Sequence, residues 1–350
     1  MSIETPAEQR VPPRDVLGRP LGSLRISVVD RCDLRCAYCM PEKDYIWLPR
    51  QSILSFEEID ELACAFTRLG TRKVRLTGGE PLLRNNLVEL VRLLAQNPQV
   101  EDLALTTNAT QLERWATPLL QAGLHRITVS LDSLQPDRFA ALTRRDALHK
   151  VLVGIRAAAG AGFKELKINT VVMRGFNEDE LIPLVEFGKE VGAQVRFIEY
   201  MDVGGATSWA MGKVFSRSEI LARLEAYYGS LQVDGAQGAA PAQCLLLPDG
   251  TRVGIIASVT EPFCRTCDRS RITADGMWYP CLYAHEGMDL KEVLRGGGSS
   301  DDLVALIRSA WLERDDRGAE ERLVSPDRKV LYQVEELKAD PRREMHTRGG

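Results

Sequence analysis

From residue 24 the chain alternates between short β-branched runs and longer stretches whose apolar residues recur at helical spacing, the pattern of repeated βα units. The strand-like runs are Leu24–Asp30, Lys73–Thr77, Asp102–Asn108, Arg126–Asp132, Leu166–Met173 and Gln194–Met201. Helix punctuation lies between them. Ser55 precedes a stripe of Phe56, Ile59, Leu62, Phe66 and Leu69, with Glu58 as capping-box partner and Gly70 as the stop. Glu178, Asp179 and Glu180 mark the acidic first turn of a helix opening at Asn177 and closing near Gly192, and another helix runs from Ser216 to Gly229. Six strands each followed by helical sequence predict an α/β fold, a parallel sheet with helices outside, because parallel neighbours need long right-handed crossovers. Curled, such a sheet is an incomplete (βα)6 TIM-type barrel; laid flat, it is doubly wound, and periodicity does not separate the two. In both, ligands gather at the carboxyl ends of the strands, in the turns after Asp30, Thr77, Asn108, Asp132, Met173 and Met201.

Near residue 235 the pattern breaks. Asp234–Gln243 is rich in Gly, Ala, Pro and Gln and reads as a boundary. Cys244–Leu247 and Val253–Val259, joined by Pro248-Asp249-Gly250, then predict a hairpin, and Asp289–Val334 is helical and charged. The expected organisation is a flexible N-terminal segment (1–16), a barrel (17–235), a C-terminal module (236–337) and a basic, loop-like tail (338–350). With 350 residues, 27% charged, 44% hydrophobic and a net charge of −4, the chain carries neither the composition of disorder nor the broad basic footprint of a nucleic-acid binder. No apolar stretch approaches the roughly 20 residues that span a bilayer, and Met1–Asp15 lacks the pattern of a secretory signal, so no membrane is expected and the cytoplasm is.

That compartment changes the meaning of the eight cysteines. Six fall in two groups, Cys32, Cys36 and Cys39, then Cys264, Cys267 and Cys281, and grouped thiols in a reducing compartment are metal ligands or catalytic rather than disulfides. Cys64 and Cys244 read as packed side chains. The first group, C-x3-C-x2-C, directly follows the first strand, at the ligand-binding end. Its run Cys32-Asp33-Leu34-Arg35-Cys36-Ala37-Tyr38-Cys39 resembles the radical S-adenosylmethionine (SAM) superfamily, as does Thr77-Gly78-Gly79-Glu80-Pro81 after the second strand. The resemblance implies a [4Fe–4S] cluster on the three cysteines, an open iron that chelates SAM, and SAM contacts from Tyr38, Gly79, Ser130 and Met201. The radical chemistry then belongs to the cofactor.

The second group, C-x2-C-x13-C, fits a closed zinc site with His285 on spacing alone. Its context points elsewhere. The run Cys267-Asp268-Arg269-Ser270-Arg271-Ile272-Thr273-Ala274-Asp275-Gly276, ending in Pro280-Cys281, resembles the GTP 3′,8-cyclases that begin molybdenum cofactor biosynthesis. So do Met40-Pro41-Glu42, Leu131-Asp132-Ser133-Leu134, Lys167–Met173, Phe197–Met201 and the terminal Gly349-Gly350, and the likeness runs from about Leu17 to Gly350. It implies a barrel whose mouth the C-terminal module closes, and a second [4Fe–4S] cluster on Cys264, Cys267 and Cys281 that binds the guanine base. It assigns GTP contacts to Arg25, Arg75, Thr106, Lys167, Arg269, Ser270 and Arg271, and catalytic roles to Arg269, Arg271 and the tail glycines Gly349 and Gly350. A flavodoxin-like or ferredoxin-like electron donor and a downstream cyclic pyranopterin monophosphate synthase follow as partners, and a homodimer is compatible with it. Arg25, Arg75 and Lys167 alternate with apolar neighbours inside strands, poor places for unpaired charge, and a polyanion would explain them. Asp268 departs from the Asn expected in the family. The rival readings are a peptide-modifying radical SAM enzyme with an auxiliary cluster and a zinc-stabilised, non-catalytic binding protein.

Overall fold

The computed structural model describes residues 11–235, 238–326 and 328–349. Its βα series runs β1 (Ser23–Ser27), α1 (Phe56–Arg68), β2 (Lys73–Thr77), α2 (Leu87–Ala95), β3 (Asp102–Thr107), α3 (Leu112–Gln121), β4 (Arg126–Ser130), α4 (Pro136–Thr143) and α5 (Leu148–Ala161). It continues with β5 (Glu165–Val172), α6 (Leu181–Val191), β6 (Gln194–Glu199) and α7 (Arg217–Tyr228). Local chemistry sets the helix starts. Ser55 Oγ accepts from the Glu58 N–H at 3.2 Å while Glu58 accepts from the Ser55 N–H at 2.7 Å, and Ser216 with Glu219 repeats this box before α7. The acidic run at 178–180 differs from its expected helical role. Glu180 is buried and accepts from Ser133 Oγ and the Leu134 N–H, each at 2.7 Å, so these residues form a 3₁₀ turn and α6 begins at Leu181.

Strands β1 to β6 pair in chain order, all parallel. The remaining strands are β7 (Gln232–Val233), β8 (Gln243–Leu246), β9 (Arg252–Ile256), β10 (Arg269–Ile272), β11 (Met277–Tyr279) and β12 (Met288–Asp289). They extend the same sheet at both edges: β10 pairs parallel with β1, and β9 pairs parallel with β6. The parallel run is therefore two strands wider than the βα series, and the hairpins β8–β9 and β10–β11 turn its edges antiparallel. One face of each strand, exemplified by Leu24, Ile26, Val74, Leu76, Leu103, Leu105, Ile127 and Val129, packs into the core with α1 residues Ile59, Leu62 and Phe66. The opposite face of every parallel strand looks into one cavity, so the sheet is curled.

The helices that follow are α8 (Leu290–Arg295), α9 (Ser300–Leu312), α10 (Gly318–Val324), α11 (Val334–Ala339) and α12 (Met345–Arg348). Two expectations are corrected here. Sequence pattern alone extends the flexible N-terminal segment to residue 16, but Asp15 is 5% exposed and ion-paired to Arg19; residues 1–10 lie outside the described residues. The loop-like tail instead forms short helical turns, and His346, Thr347 and Arg348 are buried because Arg348 donates to the carbonyls of Leu282 and Ala284 and lies over Tyr279.

Candidate active site

The curled face encloses a cavity of ≈ 920 Å³, within the range of small-molecule sites. It brings together all six grouped cysteines, the expected SAM contacts Tyr38, Gly79, Ser130 and Met201, and Arg25, Arg75, Thr106, Lys167, Arg269 and Arg271. Ser270 is not brought in. Strand alternation between Arg269 and Arg271 turns it to the other face of β10, where its Oγ is buried without a partner among the described residues. Gly349 packs on the wall instead: with φ +71°, a Cβ there would lie 2.3 Å from Thr77 Cγ2. Gly350 lies outside the described residues.

The first cysteine group occupies the loop after β1. Cys39 N–H and Met40 N–H both donate to the Cys36 carbonyl, at 3.0 and 2.7 Å, folding the loop into a turn that faces the cavity. Burial pushes the Cys32 thiol up to about 12, and burial together with Asp132 and the neighbouring thiols pushes Cys36 up as well. Gly78 and Gly79 let the turn after β2 close on this loop. A Cβ on either would lie 2.3 Å from a carbonyl oxygen, of Val29 or Arg31 respectively. The following Glu80, fully buried, accepts from Thr107 Oγ1 (2.7 Å), Asn108 N–H (2.7 Å) and Leu82 N–H (3.0 Å), tying β2 to β3. Tyr38 donates to Asp132 at 2.7 Å, and burial raises that carboxyl to about 6.

Below the cysteines the cavity wall is cationic. Arg271, Arg25 and Arg75 sit in register on β10, β1 and β2. Burial, then the charge of Arg269, lowers Arg25 to about 10, and burial with the charge of Arg25 holds Arg75 and Arg271 well below the usual arginine range. Arg75 donates to Thr106 Oγ1 at 2.9 Å and Thr128 Oγ1 at 3.1 Å. Burial and Arg196 lower Lys167 to about 8, although Glu165 is paired with it. Sequence reasoning missed Lys73, Arg126 and Arg196, which line the same space. Arg196 stands between Val195 and Phe197 as Lys167 stands between Leu166 and Ile168, so the alternation that identified one contained the other.

The second cysteine group starts on a 3₁₀ turn, Cys264–Thr266. Burial pushes the Cys267 thiol up, but the Arg269 charge, with Arg269 Nη2 3.2 Å from the sulfur, brings it down to about 7. Burial holds Cys281 up at about 12. His285, the zinc reading's fourth ligand, is edge-on to Tyr332 at 5.5 Å and is not among the described residues lining the cavity. Asp268 is buried against Gly22, where β1 begins. The tail joins both groups: Arg271 donates to the Arg348 carbonyl at 3.4 Å, and the His346 N–H donates to the Cys39 thiol.

Residues 26–188 match the Radical SAM superfamily, and residues 193–320 match Molybdenum Cofactor Synthesis C. GTP 3′,8-cyclase 1 of Mycobacterium tuberculosis is 53% identical over 345 residues, covering 97% of this chain and 96% of the relative. The chain belongs to the GTP 3′,8-cyclase family. The GTP 3′,8-cyclase of Acidothermus cellulolyticus is a further relative, 45% identical over 90% of each chain. Among solved structures, Streptococcus suis SuiB bound to S-adenosylmethionine shares the fold at TM-score 0.55 and 18% identity, covering 83% of this chain and 69% of that one. Native anSMEcpe with bound AdoMet does so at TM-score 0.52 and 17% identity, covering 80% and 81%.

Membership in the cyclase family brings SAM and [4Fe–4S] clusters as cofactors. The donor chemistry fits: each group presents three thiols, a set that binds a four-iron cluster and leaves one iron open. Among the described residues no three such side chains converge on a single ion-sized point. The arginine row fits a polyanionic nucleotide, because guanidiniums supply directional donors to phosphate.

Proposed function

We propose that this chain converts GTP to (8S)-3′,8-cyclo-7,8-dihydroguanosine 5′-triphosphate, the first step of molybdenum cofactor biosynthesis. The observation that carries the reading is the register row Arg271–Arg25–Arg75, one buried and two partly buried cations facing the same cavity as two three-cysteine groups. When bound, the first cluster and SAM would supply the radical chemistry that removes the ribose 3′ hydrogen and joins C3′ to guanine C8, a further electron and proton completing the 7,8-dihydro product. This chain's residues hold and orient. Cys32, Cys36 and Cys39 are assigned to the first cluster, and Tyr38, Gly79, Ser130 and Met201 to SAM. Cys264, Cys267 and Cys281 are assigned to the second, at the guanine end. Arg25, Arg75, Thr106, Lys167, Arg269 and Arg271 hold the triphosphate and ribose, with Lys73 and Arg196 added from the geometry. We assign 17–235 to the radical SAM part, 236–337 to the cluster-bearing module that closes the barrel mouth, and 338–350 to the tail; the separate family matches at 26–188 and 193–320 support a two-part division.

The reaction needs two electrons, one to cleave SAM and one, with a proton, to complete the dihydro product; a flavodoxin-like or ferredoxin-like protein is the proposed donor, and the product is consumed by a cyclic pyranopterin monophosphate synthase. No helix among the described residues is long and apolar enough to cross a membrane, in keeping with a cytoplasmic enzyme, and a homodimer is the proposed assembly. Anaerobic incubation with SAM and a strong reductant tests the function. 5′-Deoxyadenosine should rise when GTP is added, and Arg269→Met or Arg271→Met should weaken GTP binding. No rise with GTP, together with unaltered binding in both variants, would refute it.

A further inference from the structure

Behind the second cysteine group lies an ionic bracket that no motif contains. Asp15 and Arg19 come from the N-terminal loop, and Arg314 and Asp316 from the turn after α9. Arg19 Nε donates to Asp15 at 2.5 Å and Arg314 Nε to Asp316 at 2.7 Å, and Arg314 Nη1 lies 3.6 Å from Asp15, joining the pairs. Asp15, Arg19 and Arg314 are 5%, 2% and 5% exposed. Arg19 Nη1 also donates to the Asp316 carbonyl at 2.8 Å and Arg314 Nη2 to the Asp316 carboxylate at 3.2 Å, and each arginine has a bond to cysteine backbone as well. Arg19 Nη1 donates to the Cys264 carbonyl at 3.0 Å, and Arg314 Nη1 donates to the Cys267 carbonyl at 3.1 Å. Arg19 Nη2 is buried and has no partner among the described residues, so one donor beneath the loop is uncommitted.

Buried ion pairs are a weak source of stability, since apolar residues of similar volume hold a fold as well or better. Apolar residues cannot fix two carbonyls or set positive charge beside thiolates. Outer partners of this kind orient metal ligands, and losing one costs about 10–100-fold in metal affinity. We infer that Arg19 and Arg314 are positioning residues for the second cluster: they hold the Cys264–Cys267 turn in the geometry that retains iron and offset the charge its thiolates bring. The inference rests on the assignment of a cluster to Cys264, Cys267 and Cys281.

The test uses the full chain, reconstituted anaerobically, as wild type, Arg19→Met, Arg314→Met and Arg314→Lys. Iron per chain and the rate of iron loss to a chelator are measured. Wild type should hold about eight irons, as two four-iron clusters. In the methionine variants about four of them should leave roughly 10–100-fold faster, while the other four and GTP-independent cleavage of SAM persist. Arg314→Lys, which keeps the charge but loses the fork, should fall between and supplies the reading if Arg314→Met does not fold. Equal loss from both clusters would mean a merely structural role and overturn the inference, as would release at the wild-type rate. A wild type with only four irons would overturn the cluster assignment itself, and the bracket with it.

Discussion

Replacing Arg75 by Met separates what the ligand needs from what the fold needs. Arg75 is deep in β2, its Nη1 bonded to two threonine hydroxyls, and burial plus the charges of Arg25 and Arg126 disfavour its cationic form. Removing the charge therefore relieves the ligand-free protein of a partly buried cation with no carboxylate partner of its own, and its urea midpoint should hold or rise. The cost falls on binding. A hydrogen bond to a charged group contributes about 1.5–3 kcal/mol, so losing one contact to the triphosphate should weaken GTP about ten- to a hundredfold. Calorimetric titration of the anaerobic protein with GTP and with guanosine reads this directly, because only GTP carries the phosphates. Arg126→Met is the control: Arg126 is paired bidentately with Asp102, so its loss strands a half-buried carboxylate and should lower the midpoint. Unchanged GTP affinity in Arg75→Met, an equal loss for guanosine, or a midpoint that falls as far as the control's would show that the cation serves the fold rather than a nucleotide.

Three further outcomes follow from the same geometry. The folded pKa of Lys167, about 8, lies below its ordinary 10.5. The unfolded chain thus binds more protons between those values, and ligand-free stability should rise with pH across that window. A phosphate beside Nζ reverses the shift, so GTP binding at pH 8 should take up protons, seen as different apparent heats in buffers of different ionisation enthalpy; identical heats would exclude Lys167 as a phosphate ligand. Gly349→Ala puts a Cβ 2.3 Å from Thr77 Cγ2 at a φ of +71°. Turnover should fall at least about tenfold while GTP affinity is kept, a kcat effect that calorimetry and product assay separate. Asp202 is fully buried and accepts from Arg322 Nε (2.8 Å), Arg328 Nη2 (2.8 Å) and Tyr283 OH (3.0 Å). Asp202→Asn should cost about 3–5 kcal/mol in urea unfolding, because it leaves two guanidiniums without their anion.

What the sequence made legible was local. The βα series, the Ser55–Glu58 box and both cysteine groups rest on spacings of a few residues, and the structure keeps them close to where spacing put them. Pairings across the whole chain were not legible. Nothing near Arg269 says that β10 will lie beside β1 while β9 lies beside β6, because such contacts are chosen by the closure of the sheet and not by local propensity. The same closure makes Arg271 a neighbour of Arg25 and turns Ser270 away from the cavity. Asp15, Arg19, Arg314 and Asp316 were invisible for a similar reason: each is an ordinary charged residue until folding brings residues about 300 positions apart together. Glu180 shows the converse, a helix-start signal overridden because a tertiary partner, Ser133, claims its carboxylate.

The most direct test follows one hydrogen atom. GTP carrying deuterium only at ribose C3′ is incubated anaerobically with the reconstituted protein, SAM and a strong reductant, and the 5′-deoxyadenosine formed is weighed by mass spectrometry. One deuterium per 5′-deoxyadenosine, dependent on GTP and diminished in Arg75→Met, is the outcome predicted for a cavity whose arginine row holds the nucleotide beneath the first cysteine group. 5′-Deoxyadenosine that forms with GTP but carries no deuterium would contradict it.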